Sequence, residues 1–276
     1  MVTKTLREAV ENRDVLGLRY DNSKYWKKYY STKAKNRDFT RECEYATFLQ
    51  KHISKKAKVL DVATGYGFLP VEMLKLGFNV ECVDKYKEMI EVANKYILRN
   101  NLTTKIHKAD VTKLPMSNAS YDLVTAQSIF EHFCFEEMTK KLIPEIKRVT
   151  KKNGLILIHV PIRSAVCVLK KYYRKFIKND LPKWAIDDDG DVTHKVWMSA
   201  PEYISELLKQ KMNIEYIRFN FIRSNETLMW MKALNRLFVT FGMNKFYKRE
   251  NLSKIKFGVL SFFGTSVVLV CRNNSI

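Results

Sequence analysis

The sequence predicts an α/β protein built on a doubly wound, mostly parallel sheet, and four observations predict it. Val59 to Val62 is a short apolar run ending in a glycine-containing turn, the pattern of a strand buried on both faces. Gly65 and Gly67 let the backbone turn tightly and approach a ligand with no Cβ in the way. Pro70 then suits the first turn of a helix, where a missing N–H costs nothing. Finally, Asp61, Asp84 and Asp110 each stand near the end of a strand-like run. Sheets of this kind take ligands outside the carboxyl ends of their strands, at a topological switch point.

Composition sets the bounds. A chain of 276 residues holds one large α/β domain with decoration, or at most two domains, and 46% hydrophobic residues support a packed core. Cys43, Cys82, Cys134, Cys167 and Cys271 are scattered without C-x-x-C spacing, which argues against a zinc site, an iron–sulfur cluster or a disulfide framework. No metal site is expected. The N-terminus is polar and shows no signal peptide, and the longest apolar run, Phe257 to Cys271, contains two glycines and is short for a bilayer. The expected location is cytoplasmic. A net charge of +20 suits a nucleic acid, an anionic membrane surface or a phosphorylated substrate. It equally suits lysines spread over solvated faces, since the basic residues run along the whole chain.

Residues 1–57 hold no strand-like run and are expected to form an N-terminal helical cap. Within it, Tyr20 to Tyr30 interleaves aromatic and basic residues, fit for packing on the domain with lysines snorkelling, for covering a pocket, or for binding nucleic acid. After the glycine turn, Leu69 to Leu76 has helical spacing and stops at Gly77. Asn79 to Asp84 alternates as a second strand, and Lys85 to Arg99 is a helix with Met89, Ile90, Ala93 and Ile97 inward. Lys105 to Val111 reads as a third strand, and Tyr121 to His132 as a fourth strand entering a loop and a helix. Helical sequence then runs to Lys152, and Leu155 to Val160 is a fully apolar fifth strand.

Residues 162–198 read as an insertion. Its stretch Leu169 to Lys178 could form an amphipathic basic helix for an anionic membrane, a grip on a phosphorylated substrate, or a solvated face. Asp187 to Asp191 starts like a calcium loop, but Val192 stands where a glycine is needed and Met198 where the bidentate acid belongs. Ser199-Ala-Pro-Glu202 is a capping box opening a helix to about Lys209. Ile214 to Ile222 alternates as a sixth strand, residues 223–256 read as a mostly helical insertion, and Gly264 to Cys271 is a last strand.

The glycine turn lacks the third glycine of a dinucleotide fingerprint, since Pro70 stands there, and it lacks the Gly-Lys-Ser/Thr of a phosphate-binding loop. What remains, Asp61-x-Ala63-x-Gly65-x-Gly67, resembles the first motif of the class I S-adenosylmethionine-dependent methyltransferases, with Ala63 in place of the first glycine. The resemblance covers about Lys58 to Pro161 and is similar to the methyltransferase type 11 subset that includes ubiquinone- and menaquinone-pathway enzymes. It implies a Rossmann-like, seven-stranded sheet whose last strand is antiparallel. It also implies S-adenosyl-L-methionine as cofactor: Asp61, Ala63, Gly65 and Gly67 around the methionine half, Asp84 on the ribose, Asp110 facing the adenine amino group, and Lys85, Met89, Val111 and Gln127 lining the pocket. The expected units are a cap at 1–57, a cofactor-binding core at 58–161, a substrate-side insertion at 162–198 and a sheet-completing segment at 199–276.

The implied reaction is an in-line methyl transfer in which alignment supplies a large share of the acceleration. A hydroxyl acceptor also needs a general base. His132 follows the fourth strand in Gln127-Ser-Ile-Phe-Glu-His132; His159 sits in an apolar strand and reads as a satisfied core histidine; His194 adjoins the substrate-side insertion and is the favoured base. Gln127-Ser-Ile-Phe130 replaces the Asp/Asn-Pro-Pro-aromatic motif of nucleic-acid amino-methyltransferases, which disfavours a nucleic-acid acceptor. The expected acceptor is a small-molecule, glycan or lipid-linked hydroxyl, with peripheral contact to an anionic membrane. The alternatives are an RNA methyltransferase and a non-catalytic cofactor-binding protein that docks an anionic partner.

Overall fold

The computed structural model describes residues 40–165, 167, 198–221, 243 and 245–274. The aromatic-basic stretch at 20–30, the basic stretch at 169–178, the acidic turn at 187–191 and His194 lie outside the described residues. Strands β1 (Lys58–Val62), β2 (Asn79–Asp84), β3 (Lys105–Lys108), β4 (Tyr121–Gln127), β5 (Thr150–Pro161), β6 (Met212–Asn220), β7 (Tyr247–Lys248) and β8 (Ser266–Asn273) form one sheet in the order 3-2-1-4-5-8-6-7. The pairs from β3 through β5 are parallel, and β8 runs antiparallel between β5 and β6.

Among the described residues the helices are α1 (Thr40–Gln50), α2 (Phe68–Lys75), α3 (Lys87–Arg99), α4 (Ile143–Val149), α5 (Ala200–Lys209) and α6 (Lys254–Phe263), with one further turn at Phe135–Glu137. A π-helical turn, Met138–Leu142, leads into α4. Two buried clusters sandwich the sheet because side chains alternate along each strand. In β5, Leu155 and Leu157 face Tyr45, Leu49, Leu69 and Met73, while Ile156, Ile158 and Val160 face the side of Ile143, Ile146, Tyr203 and Leu260. Covered on both faces, β5 can be continuously apolar, as its sequence reads. The α5 start is capped as its sequence implies: Ser199 donates from both its amide and its hydroxyl to Glu202 Oε2, at 2.6 and 2.7 Å.

Four expectations are corrected. The sheet has eight described strands, not seven: Tyr247–Lys248, inside the stretch expected to be helical, pairs antiparallel with Tyr216 and Ile217 of β6 and is itself the edge strand. Two residues are too few to show a period of two, so nothing local announces the strand. Strand β5 begins at Thr150, five residues before its apolar run, because Asn273 Nδ2 donates to the carbonyls of Lys147 and Thr150 (3.0 and 2.9 Å) where helix gives way to strand. Strand β3 ends at Lys108, leaving Asp110 in the turn that follows, where Lys113 N–H donates to its carbonyl. On α3, Met89, Ala93 and Ile97 are buried as expected, but Ile90 is half-buried. No helix among the described residues is long and apolar enough to cross a membrane.

Candidate functional site

The carboxyl ends of β1, β2 and β4 lie side by side at the switch point, where β2 leads outward to one edge and β4 toward the other. Leaving β1, the chain takes positive φ at Ala63 (54°), Gly65 (57°) and Gly67 (79°), so alternate residues of the turn are left-handed. An added Cβ on Gly67 would meet only ordinary contacts with Ala93 and Ile97 (3.5–3.6 Å), so backbone conformation, not space, calls for glycine there. Ala63 pays the steric cost that a glycine would avoid. The turn is laced by Thr64 N–H donating to Val83 carbonyl, Gly67 N–H to Thr64 carbonyl, and Thr64 Oγ1 to Asp61 carbonyl, each at 3.0 Å.

Asp61 is buried, and its Oδ1 accepts the Thr125 hydroxyl at 2.5 Å. Burial pushes its carboxyl up to about 7; the hydroxyls of Thr125 and Thr64 oppose this, and the Asp84 carboxylate adds to it. Asp84 is also buried and raised by burial, against backbone donors that hold it charged. Gly65 N–H donates to Asp84 Oδ2 (2.9 Å) and Tyr86 N–H to Oδ1 (3.0 Å). The second strand's acid therefore fixes the glycine turn of the first strand, and of its roughly four lone-pair sites it keeps acceptor capacity to spare.

Asp110 is 44% exposed at its side chain, with Lys85 Nζ 3.9 Å away. Burial works to raise its carboxyl, but the Thr112 hydroxyl and amide and the Lys85 charge prevail, and the net shift is downward. Met89 and Val111 are buried, and Gln127 is half-buried at the last position of β4. Thus Asp61, Ala63, Gly65, Gly67, Asp84, Lys85, Asp110 and Gln127 come to one edge of four neighbouring strands, while Met89 on α3 and Val111 after β3 pack into the interior.

Beyond Gln127, Ser128 has φ 51° and is exposed, and its N–H donates to the His159 carbonyl at 2.8 Å. Phe130–His132 form a short helical turn in which His132 is half-buried and Glu131 is 2% exposed. Burial pushes the Glu131 carboxyl up to about 8, and its Oε2 has no hydrogen-bond partner among the described residues; the same holds for the buried Tyr203 hydroxyl on α5. His159 is buried with both ring nitrogens near hydroxyls, as a core histidine requires. Thr125 was not among the expected site residues, although a polar residue inside an apolar strand was the available signal; Ser128 and Glu131 lie in the stretch before His132 where the family resemblance places pocket residues, with no role of their own assigned.

Residues 60–158 match the model of a family described as a methyltransferase domain. A ribosomal protein L11 methyltransferase of Dictyoglomus thermophilum is 34% identical over 132 residues, 47% of this chain and 41% of that protein. A demethylmenaquinone methyltransferase of Chlorobaculum parvum is 31% identical over 172 residues, 62% of each. The chain therefore spans less than two thirds of either relative. Among solved structures, the PH0226 protein of Pyrococcus horikoshii superposes with a TM-score of 0.58 at 18% identity, covering 89% of this chain and 98% of that one. A SAM-dependent methyltransferase of Archaeoglobus fulgidus gives 0.56 at 15%, covering 88% and 99%. At those identities the likeness is one of fold.

Proposed function

We propose, from the match of residues 60–158 to the methyltransferase-domain family, that the protein moves a methyl group from S-adenosyl-L-methionine to a hydroxyl on a small or lipid-linked acceptor. The observation that carries the reading is Asp84: a buried carboxylate, pinned by the amides of Gly65 and Tyr86, with lone pairs left over at the switch point. Such a group suits a vicinal diol, and the left-handed turn beside it suits a ligand passing close to backbone.

In this reading Asp61, Ala63, Gly65 and Gly67 hold the methionine half, Asp84 the ribose, and Asp110 the adenine amino group, with Lys85, Met89, Val111 and Gln127 around them. When bound, the cofactor supplies an electrophilic methyl group on a good leaving group. The residues of this chain align the acceptor and exclude water, which is where most of the acceleration arises. A carboxyl such as Asp61, raised toward neutrality by burial, becomes easier to ionise beside a positively charged ligand.

O-methylation is favoured because one relative, 29% identical over 108 residues, is named a ubiquinone biosynthesis O-methyltransferase of Rickettsia akari. His132 and His194 remain the proposed bases for that hydroxyl. The location proposed is cytoplasmic, with peripheral contact to anionic lipid through the basic stretch at 169–178. Since other relatives are ribosomal protein L11 methyltransferases, an acceptor screen should include ribosomal protein beside lipid-linked and sugar hydroxyls.

Calorimetric titration with S-adenosylhomocysteine on wild type and on Asp84→Ala tests the proposal. Micromolar binding that weakens by tenfold or more in the variant is expected, about 1.4 kcal/mol or above. No binding to the wild-type protein sinks the reading.

A further inference from the structure

The carboxyl edge of the sheet carries a chain of polar contacts that runs from solvent into the core. Ser128 stands directly after Gln127, and Gln127 is paired with His159 across β4 and β5. The Ser128 hydroxyl lies 3.3 Å from His159 Nδ1, and His159 Nε2 lies 2.9 Å from Ser266 Oγ. Asn220 Nδ2 donates to that same Ser266 Oγ at 3.0 Å and to Tyr45 Oη at 2.8 Å. The Asn220 amide cannot be turned round, because Arg218 Nε, which can only donate, is 3.2 Å from its Oδ1.

Two features set this chain apart from ordinary core satisfaction. One end of it is exposed: Ser128 is at the surface of the candidate site, while His159, Ser266, Asn220, Arg218 and Tyr45 are buried or half-buried. That exposed serine also holds a left-handed backbone, which L residues adopt at a cost and which persists only where the surroundings over-determine it. Here the Ser128 amide is tied to the His159 carbonyl, so the same strand end fixes both backbone and hydroxyl.

We propose that Ser128 and His159 form a proton relay for the acceptor hydroxyl, an alternative to His132 or His194 as its base, with Ser128 touching the acceptor and His159 taking the proton through it. The inference rests on the methyl-transfer reading above. In the tautomer with Nε2–H donated to Ser266 Oγ, His159 Nδ1 accepts the Ser128 hydroxyl hydrogen. The acceptor O–H bond breaks and its proton passes to Ser128 Oγ as the serine's own proton moves to His159 Nδ1. The electron pair left on the acceptor oxygen forms the bond to the methyl carbon, and the pair of the broken carbon–sulfur bond stays on sulfur. A positive charge thus leaves the sulfonium and appears on the imidazolium, and the count of atoms and electrons closes.

Among the described residues, the groups along the chain that could compete for charge are Arg218 on β6 and Glu44 on α1, which are paired with each other, Arg41 and Glu42 on α1, also paired, and Tyr45, whose hydroxyl burial pushes up to about 12. Tyr45 therefore stays neutral at working pH. The ring of Tyr45 is 6.2 Å from that of His159, so the imidazole is flanked by an aromatic side chain and the two serine hydroxyls.

The test is histidine protonation read directly. Protein labelled with ¹⁵N-histidine is followed by two-bond ¹H–¹⁵N spectra from pH 5 to 9, with and without S-adenosylhomocysteine. The variants are Ser128→Ala and His159→Gln, the second serving only to assign the ring signals. The expected result is an Nε2–H tautomer at pH 7 whose Nδ1 signal and titration midpoint move in Ser128→Ala, with S-adenosylhomocysteine affinity unchanged within threefold. Against any acceptor the screen returns, Ser128→Ala is expected to lower kcat by about 10²–10⁴-fold. Should His159→Gln fail to fold, the exposed Ser128→Ala still supplies the comparison. An Nδ1-protonated ring at pH 7, or ring signals indifferent to Ser128→Ala, overturns the relay. Failure of wild type to bind S-adenosylhomocysteine overturns the methyl-transfer reading instead, so the two failures are told apart.

Discussion

Thr125 on β4 donates its hydroxyl hydrogen to Asp61 on β1 across 2.5 Å, and both side chains are buried. The pair couples two neighbouring parallel strands just before the glycine turn. It also decides how easily Asp61 ionises, because the hydroxyl is the main group opposing the upward push of burial.

Replacing Thr125 with Val keeps the shape and removes that donor. Asp61 has a folded value near 7 against an ordinary 3.8, so its contribution to stability is full below about pH 4 and is lost as pH rises through 7. Losing a donor to the charged form deepens that loss. Thr125→Val is expected to destabilise the protein by about 1–3 kcal/mol at pH 8 and by less at pH 5.5. Urea unfolding at the two pH values measures the difference; equal losses at both would contradict it.

Glu131 offers the complementary experiment. Burial raises its carboxyl from 4.5 to about 8, so the folded protein holds a proton that the unfolded chain gives up above pH 5. Stability from this group is present below about pH 4.5 and falls as pH climbs through 8. Glu131→Gln, which cannot ionise, should therefore raise the melting temperature relative to wild type at pH 8.5, and the advantage should vanish near pH 5. Calorimetry across that range decides it.

Gly154 sits where β5 turns into its apolar run. A Cβ there would lie 2.8 Å from Thr150 Cγ2, 2.9 Å from the Lys151 carbonyl oxygen and 3.1 Å from that of Asp122. Backbone cannot step aside as a side chain can, so Gly154→Ala is expected to cost about 1–3 kcal/mol by overpacking. Chemical denaturation reports it, and a neutral result would mean that the strand start is looser than its pairing with β4 implies.

Asp110 separates binding from folding. Its carboxylate is 44% exposed and its Thr112 contacts are local. Asp110→Ala should leave stability within about 0.5 kcal/mol while weakening S-adenosylhomocysteine binding by about tenfold. Titration and thermal melting on the same sample show whether the two effects part.

Much of this molecule could be read from the chain itself. The run from Val59 to Val62, the glycine turn and Pro70 are local statements about burial and backbone angle, and β1, the left-handed turn and α2 follow them closely. The apolar stretch after Gly154 announced a strand covered on both faces, and Ser199 with Glu202 announced the start of α5, because capping involves residues three apart. Asp61 and Asp84, at or next to the ends of β1 and β2, were legible for the same reason, while Asp110 fell in the turn beyond β3.

What tertiary structure decided is everything that joins residues distant in sequence. Thr125 meets Asp61 across 64 positions, and His159 meets Ser266 across 107. Tyr247–Lys248 became a strand only because β6 presented an unpaired edge. A hydrogen bond between side chains that far apart leaves no trace in local periodicity, since either partner alone reads as an ordinary polar residue in an apolar strand. The sequence by itself settled the kind of sheet. The packed fold settled which buried acids are held near neutrality, and which serine and histidine stand together at the sheet's carboxyl edge.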